Sequence, residues 1–184
     1  MNKTELRDKL KTLRAQMDKE TVIKKSEKII DRLVNCEEFK GAENIMIYMS
    51  LGNEVCTDKL IDIGAEMGKK LYVPVTVGDD ILPCKLEGHG GLGKGKFGIR
   101  EPIDKDVMTG EIDLVIVPGI GFSKDGGRIG FGKGYYDRFL KDKNSKKIAL
   151  AYSFQVVDDT FAEGNDIPMD KIVTEEEMIC CEQR

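Results

Sequence analysis

The run DLVIVPG at residues 113–119 is a short, continuous apolar segment that ends in a Pro-Gly turn signal. It lacks the alternation of polar and apolar residues seen in half-exposed strands, and is typical of a strand buried on both faces of a parallel sheet. The segment IMIYM at residues 45–49 has the same character. Both runs predict buried strands, and residues 113–119 suit the centre of a parallel sheet.

Strand and helix patterns alternate on both sides of these runs. Further strands are predicted at 70–75, 81–86 and 147–154, and a helix around 133–142. Another predicted helix begins at Thr57, ends at Gly68, and turns Leu60, Ile61 and Ala65 inward. The alternation predicts a single three-layer α/β/α domain over residues 1–184, with a mainly parallel central sheet. Glycine-rich residues 88–98 are predicted to form a loop, and the sequence does not decide whether it acts as a lid or is a plain surface loop.

Two helices are predicted before the sheet. The first has one apolar face, made by Leu6, Leu10, Leu13 and Met17. The second begins at the N-cap Asp18, and its apolar face is made by Val22, Ile23, Ser26, Ile29, Ile30, Leu33 and Val34. Lys3 and Arg7 lie one turn apart at the start of the first helix, where the helix dipole disfavours cations. Such cations are usually solvated, but this placement makes an anionic partner worth considering.

Composition limits the function classes. A net charge of −4 on 184 residues argues against a general nucleic-acid binder. No stretch is long and apolar enough to span a membrane, and the charged first residues lack a signal-peptide core. The five cysteines are odd in number and form no C-x-x-C pair, which disfavours a disulfide framework and a zinc site. The only histidine, His89, lies in the glycine-rich segment, which disfavours Cys–His catalysis. We expect a cytoplasmic monomer that binds neither membrane nor nucleic acid.

Ligands of parallel α/β sheets bind at the carboxyl ends of the strands. The loops that follow the strands at 45–49 and 113–119 are therefore candidates for ligand binding, and so is the loop that leads into residues 126–140. Glu54 lies in the first of these loops. An acidic loop residue is normally solvated, but its position beyond a buried strand makes Glu54 a candidate for ligand binding.

The stretch GGRIGFGKGYYDRFL at residues 126–140 is rich in glycine and then reads as the start of a helix. Residues 127–133 fit G-x-x-x-x-G-K, but Gly134 stands where a phosphate loop needs Ser or Thr to hold Mg²⁺. The alternate glycines at 130, 132 and 134 are also too dense for a Rossmann turn. Glycines, a helix start, Arg128 and Lys133 together predict a polyphosphate cradle of another design.

Two kinds of side chain follow the last glycine. Asp137 lies in the first turn of the predicted helix, where it could ligate Mg²⁺ together with phosphate oxygens or pair with Lys141. Spacing alone does not decide between these roles. Tyr136 is predicted to face the core, whereas Tyr135 points elsewhere and could stack on a heterocycle. The residues alone thus predict a nucleoside-triphosphate site that is not a P-loop.

The same stretch resembles the signature R-L-G-x-G-x-G-Y-Y-D of the 5-formyltetrahydrofolate cyclo-ligase (5,10-methenyltetrahydrofolate synthetase) family. The resemblance extends along the chain. It includes K-x-x-x-R at Lys3 and Arg7, an acidic residue followed by V-x-T at 54–57, the strand end at 113–119, a loose P-x-x-x-x-D match around Asp166, and a V-T-like close at 172–174.

The resemblance implies a three-layer α/β/α enzyme that uses ATP and Mg²⁺ to cyclise 5-formyltetrahydrofolate to 5,10-methenyltetrahydrofolate, releasing ADP and phosphate. It implies catalytic roles for Lys133 and Arg128, and Mg²⁺ ligation by Asp137 and Asp166. Met49, Glu54 and Tyr135 would contact the folate. The implied ATP-binding residues are Lys3, Arg7, Arg128, Ile129, Gly130, Phe131, Gly132, Lys133, Gly134, Tyr135 and Tyr136.

Two other functions remain open from the sequence. One is a non-enzymatic nucleotide- or phosphate-binding module of the same α/β type, and the other is a sugar-phosphate isomerase-like enzyme. Lys3 and Arg7 taken together with Glu54 discriminate between them. A phosphate sensor has no evident need of Glu54, and an isomerase needs a placed general base but no ATP.

Overall fold

A seven-stranded sheet organises the chain in the computed structural model, which describes residues 1–182. The helices are α1 Lys3–Ala15, α2 Lys19–Val34, α3 Glu37–Gly41, α4 Asp58–Glu66 and α5 Tyr135–Leu140. The strands are β1 Asn44–Ile47, β2 Lys70–Val77, β3 Asp80–Leu86, β4 Leu92–Lys94, β5 Arg100–Pro102, β6 Leu114–Val117, β7 Gly121–Ser123, β8 Arg128–Ile129, β9 Lys146–Leu150, β10 Val156–Val157, β11 Lys171–Val173 and β12 Met178–Cys180.

The strand order of the main sheet is β12-β11-β9-β6-β1-β2-β3. The inner neighbours from β11 to β2 all pair in parallel, whereas the edge strands β3 and β12 are antiparallel to their neighbours. β6 occupies the middle of this order, as its uninterrupted apolar sequence predicts. The predicted α/β class with a mainly parallel sheet is confirmed.

Successive residues of the central strands pack on opposite faces of the sheet. Leu114 and Ile116 of β6 join a core cluster with α2, α3 and α4, whereas Val115 and Val117 join one with α5. All four side chains are fully buried. Helices therefore cover both faces of the sheet, and the sheet together with these helices forms the three predicted layers.

The N-terminal helices form where the sequence predicts, with narrower buried faces. The Asp18 carboxylate caps α2 by accepting a hydrogen bond from the Thr21 N–H at 2.8 Å. The predictions of Leu13 and Ile23 as inward residues are wrong, since these side chains are 40% and 47% exposed. The buried residues are only Leu6 and Leu10 in α1, and Val22, Ser26, Ile29, Ile30 and Leu33 in α2.

Helix α4 begins after Thr57, as predicted, but without a side-chain cap, because the Thr57 hydroxyl instead donates to the Tyr48 carbonyl at 2.7 Å. The predicted inward residue Ala65 is exposed. Gly64 takes the inward position instead, and a Cβ there would lie 3.0 Å from the Leu71 side chain. Close packing of α4 against β2 thus selects glycine.

Residues 88–98 do not form a plain loop. They contain β4, which pairs with β5 in a small antiparallel hairpin, Leu92 opposite Pro102. Short 3-10 turns flank β4 at His89–Gly91 and Lys96–Gly98. Strand β9 likewise ends at Leu150, earlier than predicted, because the chain turns at Ser153–Gln155. Within residues 1–182, no helix has the length and apolar character needed to cross a membrane.

A second small sheet, in the order β10-β7-β8, carries the glycine-rich run. The β7–β8 turn is crowded, because a Cβ on Gly127 would lie 2.1 Å from Thr160 Oγ1 and 2.5 Å from Ser123 Oγ. Neither neighbour can retreat easily, since both hydroxyls are buried and 3.2 Å apart.

We expect Gly127→Ala to lower the melting temperature by about 3–10 °C, because overpacking of a rigid turn costs about 1–3 kcal/mol. Gly41→Ala is the matched control, since nothing lies within 4 Å of its added Cβ. Thermal unfolding followed by circular dichroism measures both variants. Equal melting temperatures for Gly127→Ala and the control would contradict this account of the turn.

Candidate active site

A cavity of about 550 Å³ lies at the carboxyl ends of β1 and β6. The loop after β1 and the loop after β6 both reach it, as expected for a parallel sheet. Of the residues predicted for the site, the cavity is lined by Lys3, Arg7, Met49, Glu54, Arg128, Gly130, Phe131, Gly132, Lys133, Gly134, Tyr135, Tyr136, Asp137 and Asp166.

The glycine loop, residues 130–134, lines this cavity. Gly132 and Gly134 have φ values of +94° and +67°, which L side chains rarely adopt. The carbonyls of Gly130 and Lys133 accept hydrogen bonds from Arg7 Nε at 3.0 Å and Arg138 Nη1 at 2.9 Å. Among residues 1–182, the N–H groups of residues 131–134 have no acceptor. Free N–H groups beside cations are suited to binding an anion.

Arg128 is the buried cation of the site, with a side chain that is only 7% exposed. Its Nη2 donates to Asp137 Oδ2 at 3.0 Å, and its Nη1 donates to the Pro118 carbonyl at 3.4 Å. The buried Nε has no partner within the described part of the chain. The guanidinium therefore links the end of β6 to the first turn of α5.

Asp137 and Asp166 lie next to each other in space, because Asp137 Oδ1 accepts the N–H of Ile167 at 3.0 Å. Asp137 pairs with Arg128 and not with Lys141, the pairing that spacing allowed. Asp166 pairs with Lys3 at 3.0 Å. Burial raises the pKa of Asp166, but hydrogen bonds from the Glu163 N–H and Lys3 outweigh it and lower the pKa.

These two carboxylates fit the donor set of a phosphate-bound Mg²⁺. Within residues 1–182 no group of three or more His, Cys, Asp or Glu side chains converges on a protein-only metal site. Mg²⁺ commonly takes one or two carboxylates together with phosphate oxygens and water. Asp137 and Asp166 line the same cavity as the glycine loop, so a metal that arrives with a polyphosphate could use both.

Glu54 is held in a fixed orientation at the other side of the cavity. Its Oε2 accepts the N–H of Leu51 at 2.7 Å. The loop is anchored nearby, because the Tyr48 hydroxyl donates to the Val55 carbonyl at 2.9 Å. Burial raises the pKa of Glu54, and the Leu51 N–H and the charge of Arg14 only partly oppose it. The structure thus presents a half-buried carboxylate acceptor to the cavity.

The two tyrosines and Ile129 are placed differently from one another. Tyr135 and Tyr136 both line the cavity, and both also pack against the core cluster beside α5, so the predicted core contact of Tyr136 is confirmed and Tyr135 shares it. Burial raises the pKa of Tyr136, which therefore stays a neutral phenol. The Ile129 side chain packs with Leu6 in a core cluster and does not reach the cavity. Any ligand contact of Ile129 must come from its backbone.

Sequence reasoning missed several cavity residues. Arg14 lies seven residues after Arg7 and therefore on the same face of α1, which periodicity could have revealed. Phe97 on the β4–β5 hairpin could not be found in this way. Its ring lies 5.8 Å from Lys133 Nζ, so the hairpin borders the glycine loop. The remaining missed lining residues are Tyr48, Leu51, Pro74, Thr76, Ile81, Lys96, Ile99, Glu101 and Pro118.

A second concavity, of about 740 Å³, lies between the start of β3, the residues before β6 and the end of α5. It is larger, yet it contains none of the predicted site residues. The 550 Å³ cavity is the better candidate because buried charge, free N–H groups and aromatic rings converge on it.

We expect Glu54→Gln to gain thermal stability relative to wild type as the pH rises. The folded-state pKa of Glu54 lies above the ordinary value for a glutamate, so ionisation destabilises the folded protein at higher pH, whereas glutamine stays neutral. Melting temperatures between about pH 4.5 and about pH 8 test this. Glu27→Gln on the exposed side of α2 is the control. A stability difference that does not change with pH would refute the effect.

The similarity of this chain to known proteins extends over nearly its whole length. Residues 1–175 match the model of the 5-formyltetrahydrofolate cyclo-ligase family. The chain is similar to a Caenorhabditis elegans protein named probable 5-formyltetrahydrofolate cyclo-ligase, with 31% identity over 96% of this chain and 94% of that one. A Mus musculus 5-formyltetrahydrofolate cyclo-ligase is 28% identical over 95% and 92% of the two chains.

Solved structures agree with this match. The NMR structure of Aquifex aeolicus 5,10-methenyltetrahydrofolate synthetase has a TM-score of 0.89 and 36% identity, covering 100% of this chain and 95% of that chain. A 5,10-methenyltetrahydrofolate synthetase from Mycoplasma pneumoniae has a TM-score of 0.77 and 27% identity, covering 95% and 99%. The family match over most of the chain, together with the shared fold, shows that this protein belongs to the 5-formyltetrahydrofolate cyclo-ligase family.

Proposed function

We propose that the protein is a single-domain 5-formyltetrahydrofolate cyclo-ligase that converts 5-formyltetrahydrofolate and ATP to 5,10-methenyltetrahydrofolate, ADP and phosphate. The observation that carries the proposal is the convergence in one cavity of the glycine loop, two carboxylates, Glu54 and the cations Lys3, Arg7, Arg128 and Lys133. The cations and N–H groups suit a polyphosphate, and the apolar walls beside Glu54 suit a flat heterocycle.

The reaction has two steps. The formyl oxygen attacks the γ-phosphorus of ATP and ADP leaves, which gives an N5 iminium phosphate. N10 then attacks the formyl carbon and loses its proton, and the C–O bond breaks as phosphate departs. Activation is required because an amide oxygen is a poor leaving group until it is phosphorylated. The protein contributes mainly position and charge neutralisation.

Cations around the glycine loop would bind the phosphates. Lys133 extends from the middle of the loop with an exposed side chain, and no carboxylate among residues 1–182 pairs with it. Its Nζ lies 5.8 Å from the centre of the Phe97 ring. An ammonium without an ion-pair partner can contact the phosphoryl group during transfer. Arg128 is fixed by Asp137, so it would provide an immobile charge at the base of the loop. Lys3 and Arg7 would add charge from α1.

Mg²⁺ would be held by Asp137 and Asp166, where it would neutralise phosphate charge as transfer proceeds. Both carboxylates already have cationic partners, Arg128 and Lys3. These ion pairs orient the carboxylates before the nucleotide binds.

Met49, Glu54 and Tyr135 would contact the folate. Met49 is almost fully buried at the end of β1 and gives the pocket an apolar floor. The Leu51 N–H uses one carboxylate oxygen of Glu54, and the other oxygen would accept hydrogen bonds from ring N–H groups. Tyr135 presents an aromatic face beside the glycine loop. The fixed acceptor distinguishes this site from a simple phosphate sensor, which needs only the cationic side.

We expect the purified protein to convert 5-formyltetrahydrofolate to the methenyl product in the presence of Mg-ATP, followed by the absorbance of that product. Conversion should stop when ATP is omitted or when EDTA removes the metal. Absence of product across a range of pH and protein concentration would reject the proposed reaction.

Lys133→Ala should reduce kcat about 100-fold or more, because an interaction made with the transferring group stabilises the transition state. The dissociation constant for 5-formyltetrahydrofolate should remain close to that of wild type. Lys124→Ala, an exposed lysine in the β7–β8 turn, is the control and should leave both quantities unchanged. Parallel losses of turnover and folate binding in Lys133→Ala would instead indicate a role in supporting the loop.

A further inference from the structure

We infer that Arg14 is a specificity-determining residue that donates hydrogen bonds to the 4-oxo group of the pterin, next to Glu54. This inference rests on the proposed function, since it identifies how the same cavity would recognise its folate. It gives a role to a cation that the resemblance leaves unassigned.

Arg14 has a different polar partner from the phosphate-binding cations of α1. Its Nη1 donates to the Gly119 carbonyl at 3.2 Å, just beyond the end of β6. Lys3, by contrast, pairs with Asp166, and Arg7 donates to the Gly130 carbonyl of the glycine loop. Arg14 lies 11 residues after Lys3, which is about 16 Å along a helix. The cationic face of α1 therefore extends from one end of the cavity to the other.

The backbone holds Arg14 and Glu54 together. The Asn53 side-chain amide donates to the carbonyls of Arg14 and Met17, each at 2.9 Å, and so caps the end of α1 with the loop that carries Glu54. The Tyr152 hydroxyl in turn donates to the Asn53 carbonyl at 2.9 Å. This juxtaposition is thus fixed by three separate hydrogen bonds.

The two side chains do not neutralise each other. No salt bridge joins them in the described structure, although the charge of Arg14 partly opposes the burial-driven rise in the pKa of Glu54. Arg14 has five N–H donors, and Gly119 is the only hydrogen-bond acceptor that the described residues provide for them. Both groups therefore keep hydrogen-bonding capacity directed at a ligand.

The chemistry of the pterin matches this pair. Its pyrimidinone edge presents the N3–H and 2-amino donors beside the 4-oxo acceptor. Glu54 can accept from the donors while Arg14 donates to the oxygen. A carboxylate alone could bind only the donor groups of this edge. Arg14 would therefore allow the site to distinguish a 4-oxo group from other groups at position 4.

Arg14 also makes a cation–π contact. Its guanidinium carbon lies 5.8 Å from the centre of the Phe131 ring. This contact and the Gly119 hydrogen bond hold the side chain at the cavity wall. The donors that Gly119 does not use are therefore already beside the cavity before substrate arrives.

The test measures binding of 5-formyltetrahydrofolate and of its 4-amino analogue, without ATP, to wild type, Arg14→Met and Arg14→Lys. Wild type should prefer the 4-oxo compound by about 10- to 100-fold, the range expected for a charge-assisted hydrogen bond. Arg14→Met keeps the apolar stem but no donor, so its preference should fall about 10-fold or more below that of wild type. The preference that remains comes from the N3–H contact with Glu54, because the 4-amino compound has no hydrogen on N3. Arg14→Lys keeps a donor and should be intermediate. Lys11→Ala, an exposed residue of α1, is the control and should match wild type.

Three outcomes would overturn the inference. One is an unchanged 4-oxo preference in Arg14→Met, and another is a loss of ATP binding with that preference intact. The third is an equal loss of affinity for both folates, which would mean that Arg14 only shapes the pocket or binds another part of the molecule.

Failure of the proposed function is distinguishable from these outcomes. If wild type binds 5-formyltetrahydrofolate but does not turn it over with Mg-ATP, the reaction is rejected while the comparison at position 4 still decides the role of Arg14. If wild type binds neither folate, both proposals are rejected together.

Discussion

The buried charge of Arg128 constrains the rest of the site. A guanidinium removed from water must be paired, or its burial costs several kcal/mol. Arg128 meets this requirement with Asp137 on α5 and the carbonyl of Pro118 after β6. The glycine loop begins two residues after Arg128, where β8 ends, so its starting direction depends on the same pairing. The central strand, the loop and the short helix α5 thereby acquire one relative geometry.

Helix α1 completes the cavity from the opposite end of the chain. Leu6 and Leu10 pack on Ile129, which directly follows Arg128, so an apolar contact positions the helix. Its cations then meet the glycine loop and the loop of Asp166. Burial of a few apolar side chains thus brings residues from both ends of the sequence into one charged pocket. The same pocket can then hold a polyphosphate beside a heterocycle.

Several elements were predictable because their signals are local. The apolar run of β6, the Asp18 cap of α2 and the glycine pattern at 130–134 depend on nearby residues only. The errors at Leu13, Ile23 and Ala65 arose where a helix face was judged without knowing how wide its contact is. The β4–β5 hairpin was missed because glycine-rich strands lack an apolar pattern, and its pairing is formed between residues on either side of a turn.

The sequence by itself determined the α/β class, the order of its elements and the chemical types gathered at 126–140, because periodicity and glycine placement are properties of short segments. Only the tertiary structure decided which charges meet. Asp137 could have paired with Lys141 on its own helix, yet it pairs with Arg128. Arg128 is buried, and leaving a buried charge unpaired would cost more free energy than leaving Lys141 in water. Arg14 and Glu54 lie on separate elements, and only the Asn53 hydrogen bonds place them side by side. The reason is physical: local preferences depend on neighbours in sequence, whereas the partner of a buried charge depends on which surfaces the core brings into contact.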